Sequence, residues 1–315
     1  MKLHQFLVAN GYSPSVVDPC IYLRRSATGF VAIAVYVDDL AVFSSSAQLL
    51  SDTKSCLMTR FKMKDLGEIS RYLGLEVERT ETSFTYHVAP YIAELAAQYL
   101  TDDHPPVLSP ADPGVRLSAR ACPVAGSDEA TFMASVPYDS LVGSLSYIAV
   151  AVRPDIARAV HTLQRAQAHP TRAHWQAALR ILQYLRSTPT LGPRYSTFAG
   201  SQSQLQVQAY VDASFAPDWH DDDGVSVSGF LVYFAGGPIA WASHKQKHVA
   251  GSTCESEFIA LSECLNVIEW IRHFLGELGI IQQKTKVFED NQAAISLATS
   301  EFPPLPPTVQ LPAAV

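Results

Sequence analysis

The sequence predicts a mixed α/β (α+β) fold of two or three domains, and three observations carry that prediction. An apolar, β-branched run, Phe30-Val31-Ala32-Ile33-Ala34-Val35-Tyr36-Val37, is followed after two acids by a second apolar run, Leu40-Ala41-Val42-Phe43, as in a β-hairpin. Across residues 139–186 the apolar positions Ile156, Val160, Leu163, Leu179, Leu182 and Leu185 recur at helix spacing. Beyond residue 205 the pattern becomes a strict alternation, then one long amphipathic helix, then strand and helix again.

In chain order, the hairpin over 30–43 precedes a helix over 47–61, strands over 70–88 and a helix over 90–99, with Pro90 in a first turn where its missing N–H costs nothing. Residues 101–136 cluster Pro, Asp, Ser and Gly without a period and read as a linker. The helical segment that follows is broken at His169-Pro170. Leu205, Val207, Ala209 and Val211 alternate with Gln204, Gln206, Gln208 and Tyr210, a strand ending at Asp212. Strands over 225–234 and 238–242 follow, joined at Gly236-Gly237. Ser252 or Thr253 can cap a helix over 252–279 with Phe258, Leu261, Leu265, Ile268, Leu275 and Leu278 as its stripe, and Gly279 can end it. A strand over 284–289 and a helix over 291–298 complete a βββαβα order. The prolines of Phe302-Pro303-Pro304-Leu305-Pro306-Pro307 favour polyproline II or disorder in the tail, 301–315. The expected divisions are 1–100, 101–136, 137–195, 196–300 and 301–315.

The 315 residues leave room for a sizeable core, and 48% hydrophobic with 17% charged residues describes a globular chain rather than a disordered one. No apolar stretch reaches the length of a bilayer span, and Met1-Lys2-Leu3-His4-Gln5-Phe6 lacks a signal-peptide core, so an intracellular protein is expected, with cytoplasm and nucleus both open. Cys20, Cys56, Cys122, Cys254 and Cys264 form no C-x-x-C pair and read as free thiols. His244 and His248, four apart around Lys245 and Lys247, read as a basic solvated patch rather than a metal pair, because the stretch is strand and turn.

The net charge of −7 argues mildly against nucleic acid, but its distribution matters more. Arg153, Arg158, Arg165, Arg172, Arg180 and Arg186 face one acid, Asp155, over residues 150–186. They read either as a charged helix surface or as a phosphate-tracking face, to which Lys245 and Lys247 would add. The remaining chemistry rests on carboxylates. Asp38 and Asp39, paired at the hairpin tip, suit a hard cation of the kind phosphoryl and nucleotidyl transfer use, although two acids also make an ordinary solvated turn.

Asp18-Pro19-Cys20-Ile21-Tyr22-Leu23, Tyr36-Val37-Asp38-Asp39, Phe61-Lys62-Met63-Lys64-Asp65-Leu66-Gly67 and Tyr72-Leu73-Gly74-Leu75-Glu76-Val77 resemble the reverse transcriptase of copia-type LTR retrotransposons. Pro137-Tyr138, Leu141-Val142-Gly143-Ser144-Leu145, Arg153-Pro154-Asp155-Ile156, His174-Trp175 and Arg180-Ile181-Leu182-Gln183-Tyr184-Leu185 continue the resemblance in the family's order. Tyr210-Val211-Asp212-Ala213-Ser214, Ser228-Gly229, Lys245-Gln246-Lys247, Glu255-Ser256-Glu257-Phe258-Ile259-Ala260-Leu261 and Asp290-Asn291-Gln292 resemble the ribonuclease H domain that follows it.

The resemblance implies a partial polymerase palm, a helical thumb and connection, and a ribonuclease H-like domain with a mixed sheet. It implies Mg2+ or Mn2+ as cofactor and an RNA–DNA hybrid as partner. It also implies Asp38 and Asp39 as polymerase ligands, Asp212 and Asp290 as acids bridging two ions, and Glu257 as ligand to one. Each has a plainer reading: Asp212 in a turn, Glu257 favouring a helix N-terminus, Asp290 capping the next helix. Glu255 competes with Glu257, but two residues apart on a helix they point away from each other. The family's upstream third carboxylate, and its later His and fourth Asp, have no counterpart, and residues 223–227 lack basic side chains. A polymerase-dead fragment with at most weak ribonuclease H activity is therefore expected. A non-catalytic nucleic-acid-binding remnant and a translated pseudogene stand as alternatives.

Overall fold

The structure, a computed structural model, describes residues 2–27, 29–115, 117–118, 122–196, 205–216, 224–300 and 309–310. The chain divides into two compact units, the first made of residues 1–70 and 269–282, the second of 71–268 and 283–315. Among the described residues no helix is long and apolar enough to cross a membrane.

In the first unit, helix α1 (Lys2–Ala9) leads into an antiparallel sheet of β1 (Ser13–Pro14), β2 (Ile21–Ser26), β3 (Gly29–Tyr36) and β4 (Asp39–Ser44), in that spatial order. Helix α2 (Ala47–Arg60) starts where Ser46 accepts the Leu49 N–H at 3.2 Å. Leu7, Tyr12, Tyr22, Val31, Ile33 and Leu57 form the core. Val31, Ala32 and Ile33 are buried in succession, so both faces of β3 are covered at its middle. The hairpin and α2 fall where the sequence puts them.

The second unit opens with an antiparallel sheet of β5 (Arg71–Tyr72), β6 (Leu75–Arg79), β7 (Ser83–His87) and β8 (Arg194–Ser196). A helical layer follows: α3 (Ala89–Tyr99), α4 (Asp128–Ser135), α5 (Tyr138–Ala151), α6 (Ala157–Gln164) and α7 (Arg172–Ser187). Leu141, Leu145, Ile148, Ile156, Leu163, Ile181, Leu182 and Leu185 are buried at its centre. Helix α4 lies inside the stretch read as linker. Ser127 caps it and Asp128 and Glu129 complement its dipole, while its single buried residue, Met133, leaves no periodic signal.

The second sheet of this unit has the order β11-β10-β9-β12-β13. Strands β9 (Gln208–Ser214), β10 (Val227–Phe234) and β11 (Gly237–Lys245) are antiparallel, and β12 (Thr285–Phe288) runs parallel to β9. The β10–β11 turn centres on Ala235 (φ 57°) and Gly236 (φ 80°), one residue earlier than the Gly236-Gly237 expected. Helix α8 (Thr253–Glu277) begins where Ser252 accepts the Glu255 N–H and the Glu255 carboxylate accepts the Gly251 N–H. Within this unit its buried stripe runs through Glu257, Ala260, Leu261, Cys264 and Ile268, whereas Phe258 and Leu265 are half-buried; the helix from Glu269 onward belongs to the first unit. His244 of β11 reaches Glu263 of α8 at 3.1 Å, which puts the helix over the sheet face that carries Ala209, Val211 and Val232.

Helix α9 (Gln292–Thr299) is capped by Asn291, which accepts the Ala294 N–H at 3.0 Å. Asp290 therefore does not serve as the cap. Of the proline-rich tail, Val309–Gln310 forms strand β13, parallel to β12 at the sheet edge. That dipeptide contains no proline and so keeps the N–H groups a ladder needs. The other tail residues lie outside the described ones.

Candidate metal centre

Asp212, Glu257 and Asp290 offer carboxylate oxygens that all lie within 4.8 Å of one another. Three elements bring them together. Asp212 is the fifth residue of β9, on the face opposite the buried Val211. Glu257 lies in the second turn of α8 on its buried stripe, so the periodicity that packs the helix also carries a carboxylate to the Ala213 N–H near the end of β9. Asp290 follows the end of β12, in the short connection to α9. Because β9 and β12 are parallel neighbours with Tyr210 beside Phe288, their next outward positions, Asp212 and Asp290, fall side by side. Glu255 is exposed and tied to Gly251, so it is no part of the cluster.

The electrostatics are those of a site waiting for positive charge. Glu257 is 6% exposed, and burial, then Glu289 and Asp212, and finally Asp290 push its carboxyl up to about 8, against the opposing Ala213 N–H. One of its oxygens, Oε2, is buried without a hydrogen-bond partner. Glu289 is a fourth acid that the sequence reading overlooked. It is 7% exposed, its Oε1 accepts the Asn291 N–H at 2.9 Å, and its Oε2 is also orphaned. Burial leads the causes that raise it. Its signal was available: Thr285, Val287 and Glu289 occupy the buried phase of an alternating strand, where a carboxylate has no ordinary business. An all-oxygen, acid-rich donor set with unpartnered buried oxygens fits a hard divalent cation such as Mg2+ or Mn2+.

The other expected acids have a different setting. Asp38 and Asp39 are exposed at the tip of the β3–β4 hairpin, where Tyr36 pairs with Asp39 across Val37-Asp38. Val37 is 85% exposed with φ 50°, a left-handed conformation that costs a β-branched residue about 1–2 kcal/mol. Among the described residues no third acid joins this pair, and Asp212, Glu257 and Asp290 form the sole such trio.

The arginines also divide. Contrary to the expected phosphate-facing role, Arg153 is 0% exposed: its guanidinium takes Asp155 at 2.8–3.2 Å and the carbonyl and hydroxyl of Thr188 at 2.8 Å, and lies over the Tyr184 ring. Arg153-Pro154-Asp155 is thus an internal clamp on the end of α7. Burial pushes Asp155 up, but Arg153 and Tyr184 outweigh it and hold the carboxyl below its usual range. Arg172 is bound by Glu129 at 3.0 Å over the Phe132 ring, and Arg180 approaches Asp112 at 3.9 Å. Arg158 on α6 and Arg165 at its C-terminal cap flank His161, and the helix packs against β11. His161 falls to about 4, first through burial and then through Arg158, Arg165, His244 and Lys245, so these cations share one small region. Lys247 is exposed just beyond β11.

Residues 1–112 match the family described as reverse transcriptase (RNA-dependent DNA polymerase). The chain is 37% identical over 305 residues to a retrovirus-related Pol polyprotein from transposon TNT 1-94 of Nicotiana tabacum, covering 96% of this chain and 22% of the relative. It is 33% identical over 301 residues to the Pol polyprotein from transposon RE1 of Arabidopsis thaliana, covering 95% and 20%. It is 32% identical over 245 residues to a putative transposon Ty5-1 protein of Saccharomyces cerevisiae, covering 77% of this chain and 75% of that one. No solved structure matches the chain. The class defined at the N-terminal end is that of reverse transcriptases. The chain belongs to the Ty1/copia-type retrotransposon Pol family, and it spans about a fifth of the Pol polyproteins from TNT 1-94 and RE1.

Proposed function

We propose that residues 196–300 form a ribonuclease H-like domain that holds Mg2+ or Mn2+ on Asp212, Glu257 and Asp290 and cleaves the RNA strand of RNA–DNA hybrids. One observation carries this reading: three acids far apart in sequence meet within 4.8 Å in the order β9-β10-β11-α8-β12-α9. When bound, divalent cations would activate a water and stabilise the departing 3′ oxygen. The chain's own groups prepare for that. Glu257 is held by the Ala213 N–H and gives up its proton as positive charge arrives. Asp212 and Asp290 are exposed and present their oxygens to the substrate side. Arg158, Arg165, Lys245 and Lys247 supply the cations for phosphates.

Residues 1–100 are read as a partial polymerase palm and 137–195 as thumb and connection, joined through 101–136. With Asp38 and Asp39 exposed and without a third acid among the described residues, this chain is read as inactive in DNA synthesis. The test is cleavage of a labelled RNA–DNA hybrid in Mg2+ and in Mn2+ by the full chain and by Asp212→Asn. Cleavage lost in the variant supports the reading, and no cleavage by either protein, both folded, overturns it. A second reading, hybrid binding without cleavage, is favoured by the cations around His161, which are independent of the carboxylates. It requires an affinity that falls steeply with salt.

A further inference from the structure

The face of β9, β10 and β12 that carries Asp212 also carries a groove the carboxylates do not use. Strand register puts Gln208, Tyr210 and Asp212 on this face, with Tyr233 beside Gln208, Leu231 beside Tyr210, and Phe288 on the other side of Tyr210. At the β11 side the same face is covered, since Trp241 donates to the Ala149 carbonyl of α5 and α6 packs on β11. Toward β9 it opens into a cavity of about 740 Å³ lined by Gln206, Gln208, Tyr210, Leu231, Tyr233 and the Phe234–Gly236 turn.

The chemistry of the groove is selective. Tyr210 is 49% exposed, which is unusual for a ring at the centre of a sheet. It stacks on Phe288 at 4.8 Å and 15°, and meets Tyr233 edge-on at 5.9 Å and 80°. The ring is therefore fixed by two neighbours and lines the cavity. Gln206 spends its oxygen on the Gln283 N–H, which leaves its NH2, and Gln208 adds a whole amide. Lys286, exposed on β12, is paired in register with Gln208 and puts a cation on the same face. Aromatic walls, amides able to meet a polar edge, and a lysine one strand away beside Gln208 match a nucleobase with its phosphate better than an apolar peptide, which would leave the amides unpaired.

We propose that this groove takes an unpaired nucleobase from a single strand continuing past the carboxylates, stacked on Tyr210 with its phosphate toward Lys286. The proposal rests on the nucleic-acid reading of the carboxylate site, because the strand runs from Asp212 and Asp290 two residues along β9 and β12 to Tyr210 and Phe288. It does not require cleavage.

The test uses the full chain without divalent metal, titrated with a blunt RNA–DNA hybrid and with the same hybrid bearing a single-stranded adenine overhang, one adenine replaced by a fluorescent analogue. The overhang is expected to tighten binding roughly tenfold, with quenching of the analogue. Tyr210→Ala should remove both effects, and Tyr210→Phe should keep them, with matching thermal melts as the check on folding. Equal affinity for the two hybrids, or an overhang preference that survives Tyr210→Ala in a folded protein, overturns the proposal. So does a self-associated chain that Tyr210→Ala returns to monomer, since the groove would then seat a second copy. Overhang preference without Asp212-dependent cleavage would sink only the cleavage reading, and the reverse result would sink only the groove.

Discussion

Two pairs of acids in this chain look equally promising on paper and are built in opposite ways. Asp38 and Asp39 are neighbours in sequence, exposed at a hairpin tip, with water free to solvate them. Asp212 and Asp290 are far apart in sequence and meet only because β9 and β12 are parallel neighbours, with buried Glu257 and Glu289 behind them. The difference is one of stored repulsion. A solvated pair costs the fold almost nothing and prefers a cation only weakly, whereas a partly desolvated cluster destabilises the empty protein and is stabilised by whatever neutralises it.

The sharpest way to break this comparison is to titrate Mn2+ into three proteins. Asp212→Asn is expected to lose affinity by on the order of 100-fold, since even changes around a ligand cost 10–100-fold. The double variant Asp38→Asn with Asp39→Asn is expected to keep the affinity of the parent. Comparable losses in both would mean that the hairpin, not the cluster, is the metal centre.

Next in size is the stability of the metal-free protein. Glu257→Gln should raise it by about 1–3 kcal/mol at neutral pH, because the glutamine is already neutral and folding no longer has to protonate a carboxyl that is ionised in the unfolded chain, and should abolish the gain in melting temperature on adding Mg2+. The sign with pH follows from the raised carboxyl. Between about 4.5 and about 8 the native state holds a proton that the unfolded chain has lost. The contribution is thus complete below 4.5 and disappears as pH climbs through 8. A melting profile over this range that is as steep in Glu257→Gln as in the parent would contradict it.

His161 gives the opposite slope. Its lowered value means that the unfolded chain takes up a proton first, so its contribution is present above the ordinary 6.5 and lost as pH falls toward 4. His161→Gln should flatten the acid limb of the stability curve, and a bound polyanion should be accompanied by proton uptake measurable as a buffer-dependent heat. An unchanged acid limb would mean that His161 is not held neutral by burial and its cationic neighbours. The smallest effect belongs to the hairpin: Val37→Asn should stabilise the protein by roughly 0.5–1 kcal/mol, because asparagine accepts the left-handed turn more readily. Destabilisation on denaturant unfolding would instead make Val37 a contact residue.

Elements whose period lies within a few residues were legible in advance. The hairpin over 30–43, α2, and the β9-to-α9 order follow from side-chain period, the Ser252 cap and Gly279, whose φ is 75° where α8 ends. Helix α4 escaped because eight residues with one buried side chain carry no period. The stripe of α8 was read one step round the helix from where it lies, since Cys264 and Ala260 pack inward although larger apolar residues sit beside them.

By itself the sequence determined which residue types sit on which element, including the carboxylates at the ends of β9 and β12 and the arginines spaced along 153–186. Only the tertiary structure decided their fates. It made Arg153 a buried clamp while Arg158 and Arg165 gather with Lys245 around His161, and it set Glu289 beside Glu257. The physical reason is range. Backbone propensity and side-chain period are properties of a short window, whereas the cost of a buried charge depends on which distant segment packs against it.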